Sequence, residues 1–274
     1  MTRTVSVSTA LFDGYGMETA IEEIAAAGCR SVEPAYIKGY VDFDETAFSD
    51  AGAARLAGLI AGAGLSVMAI SAHLDLGEAA AEAMLAGRID FASALGARFV
   101  ITNAGQVADR RRILSVIEAV QPRCEAADIV LALENPGHGS GALIGNGGEG
   151  AALVREIGSP HVRLNYDVGN VFTYSHERTK PEDDIAPAVE AIAHLHLKDV
   201  ASGADGWRFT AIGDGAIDYR AVWKVLPPGL PVAVELPLRL DRRGRADPVR
   251  RPDRVPLADI RAAMQRSLAF VAAL

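Results

Sequence analysis

Apolar and polar positions along the chain fall into two alternating patterns. Short runs rich in β-branched residues read as strands, and alanine-rich stretches between them read as helices. The strand runs are VSVST (5–9), SVEPAY (31–36), LSVMAIS (65–71), RFVIT (98–102), IVLALEN (129–135), VRLNYD (162–167), IAHLHLKD (192–199) and PVAVEL (231–236). The helical stretches lie near 17–27, 45–63, 78–95, 108–127, 148–158, 182–192, 218–225 and 257–273. Gly28, Gly64, Gly96 and Gly158 stand where four of these helices should stop, because a left-handed residue costs least without a β-carbon. Eight strand–helix pairs with no segment left over predict an α/β fold, a (β/α)8 TIM barrel, as a single domain over 1–274. A doubly wound sheet is the alternative, although it rarely needs so many strands in this order.

The last four strand runs each end in a potential metal ligand: Glu134, Asp167, His196 and Glu235. In a parallel barrel the carboxyl ends of the strands share one face, so the four side chains should converge there. Packing explains such a pattern poorly, since a charge at a strand end is expensive to bury without a partner. Three carboxylates and one imidazole suit a single divalent ion, Mn²⁺ first and Mg²⁺ or Co²⁺ next, better than a closed structural zinc site. Open positions on such an ion could take a sugar carbonyl and its neighbouring hydroxyl. Glu134 and Glu235 come from strands three apart in the ring and should approach a substrate from different sides. One could remove a proton and the other return it, which predicts catalysis by this pair.

Composition narrows the partners. A formal net charge of -8 argues against a nucleic-acid backbone as the main ligand. The two cysteines, Cys29 and Cys124, have no CxxC spacing and read as core residues in a reducing cytoplasm. The N-terminal MTRTVSVSTALF goes straight into a strand-like run, and no run of about 18 apolar residues predicts a membrane span. The expected partner is a small sugar-like molecule, with a homo-oligomer left open. The arginine-rich segment 239–256 has three prolines and reads as a solvated loop after the eighth strand. Arg239, four residues past Glu235, is a candidate for an anionic substrate group or a neighbouring subunit.

Several segments carry a more specific likeness: LENPGHGS (133–140), YDVGNVF (166–172), HLHLKDV (194–200), IGDGAIDY (212–219) and VAVELP (232–237), with SVEPAY and ISAHLD (70–75) before them. The chain resembles the xylose-isomerase-like barrel superfamily, in its sugar-phosphate isomerase/epimerase branch. That branch includes ketose 3-epimerases, hydroxypyruvate isomerase and inosose dehydratase. The resemblance spans nearly the whole chain, and the HLHLKD and IGDGAID pair is its most diagnostic part. It implies that Glu134, Asp167, His196 and Glu235 bind metal. It also implies that His73, at the end of strand three, contacts substrate or metal. Glu33 ends strand two in the same register and is expected to bond substrate or support the site from behind. Lys198 alternates with His196, so it points to the same side and could polarise a substrate oxygen. His194 shares that direction one step deeper and reads as packed. His138 could line the pocket, and Trp207 and Phe12 are weaker candidates for an apolar wall. A phosphate cradle at IGDGAID is disfavoured by Asp214.

The abasic-site endonucleases of the same superfamily have similar LEN and LHL segments but need three zinc ions and further histidines. Here strand four ends TNAGQ, Asn170 stands where that family and several epimerases carry histidine, and ADGWRFTA lacks an Asp-x-His pair. One metal is therefore expected. Asn170 is then a candidate substrate contact in a pocket that differs from the free-ketose enzymes. The expected function is a divalent-metal-dependent isomerase or epimerase acting on a small ketose or keto-sugar derivative through an enediolate. A lyase or dehydratase acting on a keto-inositol or 3-keto-glycoside at the same site is the runner-up, and a non-catalytic sugar-binding barrel ranks below it.

Overall fold

The computed structural model describes residues 3–274. Ten strand segments form one curled parallel sheet. Strands two and three are each split in two, by Pro34 between Ser31–Glu33 and Ala35–Tyr36 and by Met68 between Ser66–Val67 and Ala69–Ala72. Counting each pair once gives the eight strands read from the sequence. Their other members are Val5–Ser8, Phe99–Asn103, Val130–Glu134, Val162–Asp167, Ile192–Leu197 and Val232–Val234. The ring closes where the first strand pairs in parallel with the eighth, Val7 beside Val234.

Alternation along each strand separates two environments. Val7, Val32, Val100, Leu131, Leu133, Leu195 and Val234 are fully buried in the large cluster shared with the surrounding helices. Inside the barrel a small apolar plug of Ala69, Phe99, Ile101, Val130 and Ala132 closes one end. Beyond it, toward the carboxyl ends of the strands, the inward positions become polar: Glu33, Ser71, Asn103, Glu134, Asn165, Asp167, His194 and His196. Register sets them level, with Asn103 beside Glu134, Glu134 beside Asn165 and Asp167 beside His196.

The helices follow the sequence reading closely, from Met17–Ala26 to Leu257–Ala272. The four predicted stop glycines all have positive φ, 66° to 81°. The stretch 182–192 is a correction: it contains only a short helix, Pro181–Asp184, followed by the 3-10 turn Ala186–Ala191. A second correction concerns 239–256. Leu240–Arg243 and Val249–Arg250 are strands in a four-stranded antiparallel sheet with the hairpin Asp199–Gly203 and Gly206–Thr210. Polar residues suit these edge-exposed strands, which need backbone partners rather than an apolar face. Among the described residues no helix is long and apolar enough to cross a membrane.

Candidate metal centre and sugar pocket

Glu134, Asp167, His196 and Glu235 meet at the carboxyl end of the barrel, all at most 2 % exposed. One ligand atom from each lies within 4.8 Å of the others. His196 Nδ1 faces Glu134 Oε2 at 3.0 Å, Glu235 Oε2 at 3.6 Å and Asp167 Oδ2 at 3.8 Å. His196 Nε2 donates to Glu33 Oε1 at 2.9 Å, which leaves Nδ1 turned into the carboxylate cluster. Asp167 is also the N-cap of a short helix, Val168–Tyr174: its Oδ1 accepts from the Asn170 amide and its Oδ2 turns inward. That helix was not read from the sequence, although an aspartate ahead of Val-Gly-Asn is a capping signal. Its Gly169 is required by proximity, since a β-carbon there would stand 2.6 Å from the Lys198 carbonyl oxygen.

Glu134 accepts from Asn165 Nδ2 at 2.5 Å and from Asn170 Nδ2 at 3.1 Å, and His73 Nε2 lies 3.7 Å away. Asn103 holds His73 by its Nδ1 at 2.9 Å. Burial pushes the Glu134 carboxyl up, but the His196 and His73 imidazoles and Lys198 outweigh it and hold the group at about 2. For Asp167, burial prevails and its pKa is raised. Burial also raises Glu235, but Lys198 and His196 bring it below the usual carboxylate value. Lys198 is buried with them, its ammonium 2.7 Å from Asp167 Oδ2, 2.6 Å from Glu235 Oε2 and 3.1 Å from Asn170 Oδ1. Asp167 Oδ2 is thus close to a charge without accepting a hydrogen bond.

These side chains fit a divalent cation. Among the described residues nine buried side-chain polar atoms lack a hydrogen bond, and six of them surround this cluster: Glu33 Oε2, His73 Nε2, Asp167 Oδ2, His194 Nε2, His196 Nδ1 and Glu235 Oε1. Buried polar groups are normally satisfied, so this many unpaired atoms in and just beneath one cluster indicate a ligand-binding centre. The oxygen-rich donor set with one imidazole suits Mn²⁺, Mg²⁺ or Co²⁺.

A cavity of about 450 Å³ opens over the cluster. Glu134 and Glu235 reach it, along with His73, Asn170, Lys198 and His138. Tyr40, from the loop after strand two, also lines it and was not singled out in the sequence; burial raises its phenol to about 12. Four sequence candidates lie elsewhere. Glu33 is fully buried beneath His196, so it touches the histidine rather than a substrate. Arg239 donates to Asp13 Oδ1 and to the Arg251 and Pro252 carbonyls and does not line the cavity. Trp207 is packed between Arg242 and Arg245, and Phe12 lies in the core. The IGDG turn does cradle an anion, but one supplied by the chain. Asp199 accepts from the Val200, Gly213 and Gly215 amides at 2.8, 2.9 and 3.1 Å.

Comparison with known families decides the lineage: the family described as xylose isomerase-like TIM barrel matches residues 21–247. The chain belongs to that family. Within it, a D-psicose 3-epimerase of Enterocloster bolteae is 32% identical over 99 residues, a stretch covering 36% of this chain and 32% of that relative. The match thus spans about a third of the relative's length. Among solved structures, the xylose isomerase domain protein of Planctomyces limnophilus superposes with a TM-score of 0.73 at 15% identity, covering 100% of this chain and 97% of that one. The 3-keto-D-glucoside 4-epimerase of E. coli superposes with a TM-score of 0.70 at 13% identity and full coverage of both. At these identities the superpositions establish the barrel, and the family's sugar epimerases are its neighbours.

Proposed function

We propose that this family member is a divalent-metal-dependent isomerase or epimerase acting on a small ketose or keto-sugar derivative. The reading is carried by one observation: three carboxylates and an imidazole, all buried, bring four ligand atoms within 4.8 Å of one another on the floor of a sugar-sized cavity, and Asp167, His196 and Glu235 each keep an atom there without a hydrogen bond. Glu134, Asp167, His196 and Glu235 would hold the ion. A bound Mn²⁺ would supply positive charge to the oxygens of an enediolate. The remaining work falls to the chain. Glu134 and Glu235 enter from strands five and eight, at the two ends of the four-ligand arc, and both are ionised at neutral pH by the imidazoles and the Lys198 ammonium. One carboxylate takes the proton from the carbon beside the carbonyl, and the other returns a proton to the opposite face. The two exchange roles with the direction of reaction. Lys198, touching Glu235, keeps its ammonium charge beside that carboxylate and orients it, and the proton that is returned enters from solvent through the cavity. Asn170 and His73 flank Glu134 and would orient substrate hydroxyls, while burial of the cluster excludes water from the exchanging carbon.

A second reading, a lyase or dehydratase at the same centre, is favoured by Lys198. An ammonium beside the base is placed to donate to a departing hydroxyl as its charge develops. Incubating Mn²⁺-loaded protein with D-psicose, D-fructose and a 3-keto-glucoside in deuterated water separates the two. Epimerisation places deuterium on the carbon beside the carbonyl without loss of water, whereas elimination yields a conjugated carbonyl absorbance. No exchange and no absorbance with any keto-sugar would leave a binding barrel.

A further inference from the structure

Beneath the carboxylate cluster lies a layer of polar side chains that the chemistry above does not use. Asn165, His194 and Glu33 are all fully buried inside the barrel, yet they are neither cavity-lining nor apolar. Retaining them there is costly unless each is bonded in a defined direction.

Those directions can be worked out from Glu134. A carboxylate only accepts, so Asn165 must donate Nδ2 to Glu134 Oε2 at 2.5 Å. This turns Asn165 Oδ1 to His194 Nδ1, 2.8 Å away, and makes Nδ1 the protonated nitrogen of that ring. His194 Nε2, left without a proton, then faces Glu33 Oε2 at 3.6 Å, a packing contact rather than a hydrogen bond. Glu33 in turn uses Oε1 to accept from His196 Nε2 at 2.9 Å and from Ser71 Oγ at 3.3 Å. With its proton held on Nε2, His196 has Nδ1 as the nitrogen it can offer to a cation. Hydrogen bonds thus run from one ligand, Glu134, through Asn165 to His194 and from the other, His196, to Glu33, and the two buried runs meet where His194 packs against Glu33.

We infer that Asn165 and His194 are positioning residues for the metal centre. Asn165 fixes the rotamer of Glu134, and His194 holds Asn165 in that orientation by its Nδ1–H while its ring fills the space beside Glu33 under His196. This inference rests on the metal-binding reading and extends it to residues that touch neither ion nor substrate.

The test is a chelator-competition titration of Mn²⁺ into the full chain, with Tm recorded in EDTA for each variant. The shape of the imidazole allows its two contacts to be separated. In His194→Asn the amide nitrogen falls near Nδ1 and keeps the donation to Asn165. In His194→Gln it falls near Nε2 and loses that donation. His194→Gln and Asn165→Leu should weaken Mn²⁺ binding by about 10–100-fold, with His194→Asn restoring most of it. A purely structural role would lower Tm in EDTA in step with side-chain size and leave affinity unordered. Wild-type affinity in both polar His194 variants would overturn the inference while leaving the metal site intact. So would two ions per chain in the wild type and one in His194→Asn, which would make Glu33, His194 and His196 an ion site in their own right. A wild type that binds no divalent ion would instead sink the metal reading itself. Should Asn165→Leu fail to fold, the contrast between the two near-isosteric His194 variants still decides.

Discussion

The barrel floor and the arginine-rich antiparallel sheet both gather charge, and they treat it in opposite ways. In the sheet arginines find partners. Arg250 bridges Asp13 and Asp42, Arg239 holds Asp13, Arg242 lies over Trp207 and donates to the Gly137 carbonyl, and Arg245 meets Glu177. On the barrel floor three carboxylates are crowded against each other, and six buried polar atoms are left without a hydrogen bond. Neighbouring residues mark the divide: Lys198 turns inward to Asp167 and Glu235, while Asp199 turns outward to three backbone amides. A saturated network holds the fold together. An unsaturated one, kept in place by the surrounding packing, is available to bind something else.

The contrast predicts that substitutions on the floor remove activity and leave stability, whereas substitutions in the sheet do the reverse. The largest effect is expected for Glu235→Gln. It keeps the shape of the side chain but removes one of the two proton carriers and a ligand charge, so turnover should fall by about 10²–10⁴. Tm of the metal-free protein should hold within a few degrees, because the change also relieves carboxylate crowding. A steady-state rate and a melting curve on the same preparation suffice. Wild-type turnover would remove Glu235 from the site, and a large loss of Tm would assign it to the scaffold.

Why the floor was legible in the sequence and the sheet was not follows from the same contrast. Glu134, Asp167, His196 and Glu235 stand at the downstream ends of regular strands, so the period of the barrel alone brings them together. Lys198, His73 and Asn170 reach the cavity for the same reason, each lying at or just past a strand end. Arg239 was placed wrongly because only proximity in sequence linked it to Glu235; its guanidinium found Asp13, 226 positions away. For Glu33 the sequence leaves two roles open, and the structure takes the supporting one, since strand two is broken at Pro34 and its glutamate stays under His196. The sheet itself has no periodic signal. Its strands are short and polar, and they pair across 199–250, a separation that local patterning does not carry. Tyr40 was missed in the same way, since it enters the cavity from an irregular loop.

Asp199→Ala probes the other side of the divide. It would strand the Val200, Gly213 and Gly215 amides and empty the space that Gly215 leaves for the carboxylate, where a β-carbon would come within 2.0 Å of Asp199 Oδ1. Losing a charged acceptor of several bonds costs about 2–4 kcal/mol, or a Tm drop of roughly 5–12 °C for a chain of this size. Activity per folded molecule, measured well below the new Tm, should change less than for Glu235→Gln. An equal collapse of turnover at unchanged Tm would mean that Asp199 acts through Lys198, and the boundary between the two regions would have to be redrawn.

The smallest effect is a pH dependence confined to the sheet. Glu177 accepts from Ser202 Oγ at 2.7 Å, Arg245 Nε at 2.8 Å and Trp207 Nε1 at 2.6 Å, and the Ser202 and Arg245 bonds chiefly hold its carboxyl down at about 2 instead of about 4.5. A carboxyl depressed in the folded state stabilises the fold fully above its unfolded value and loses that contribution as pH falls through its folded value. The window is therefore from about 4.5 down to about 2. Because the side chain is 30% exposed, solvent screening keeps the contribution small. Glu177→Gln should accordingly melt a few degrees below the wild type at pH 7, with the gap closing as both are taken toward pH 2. Other carboxylates titrate in the same range, but they are common to the two proteins and cancel in the difference. A gap that stayed constant with pH would mean that Glu177 holds Trp207 by shape rather than by charge. The sheet would then owe its order to packing, and paired charge would no longer be what separates it from the barrel floor.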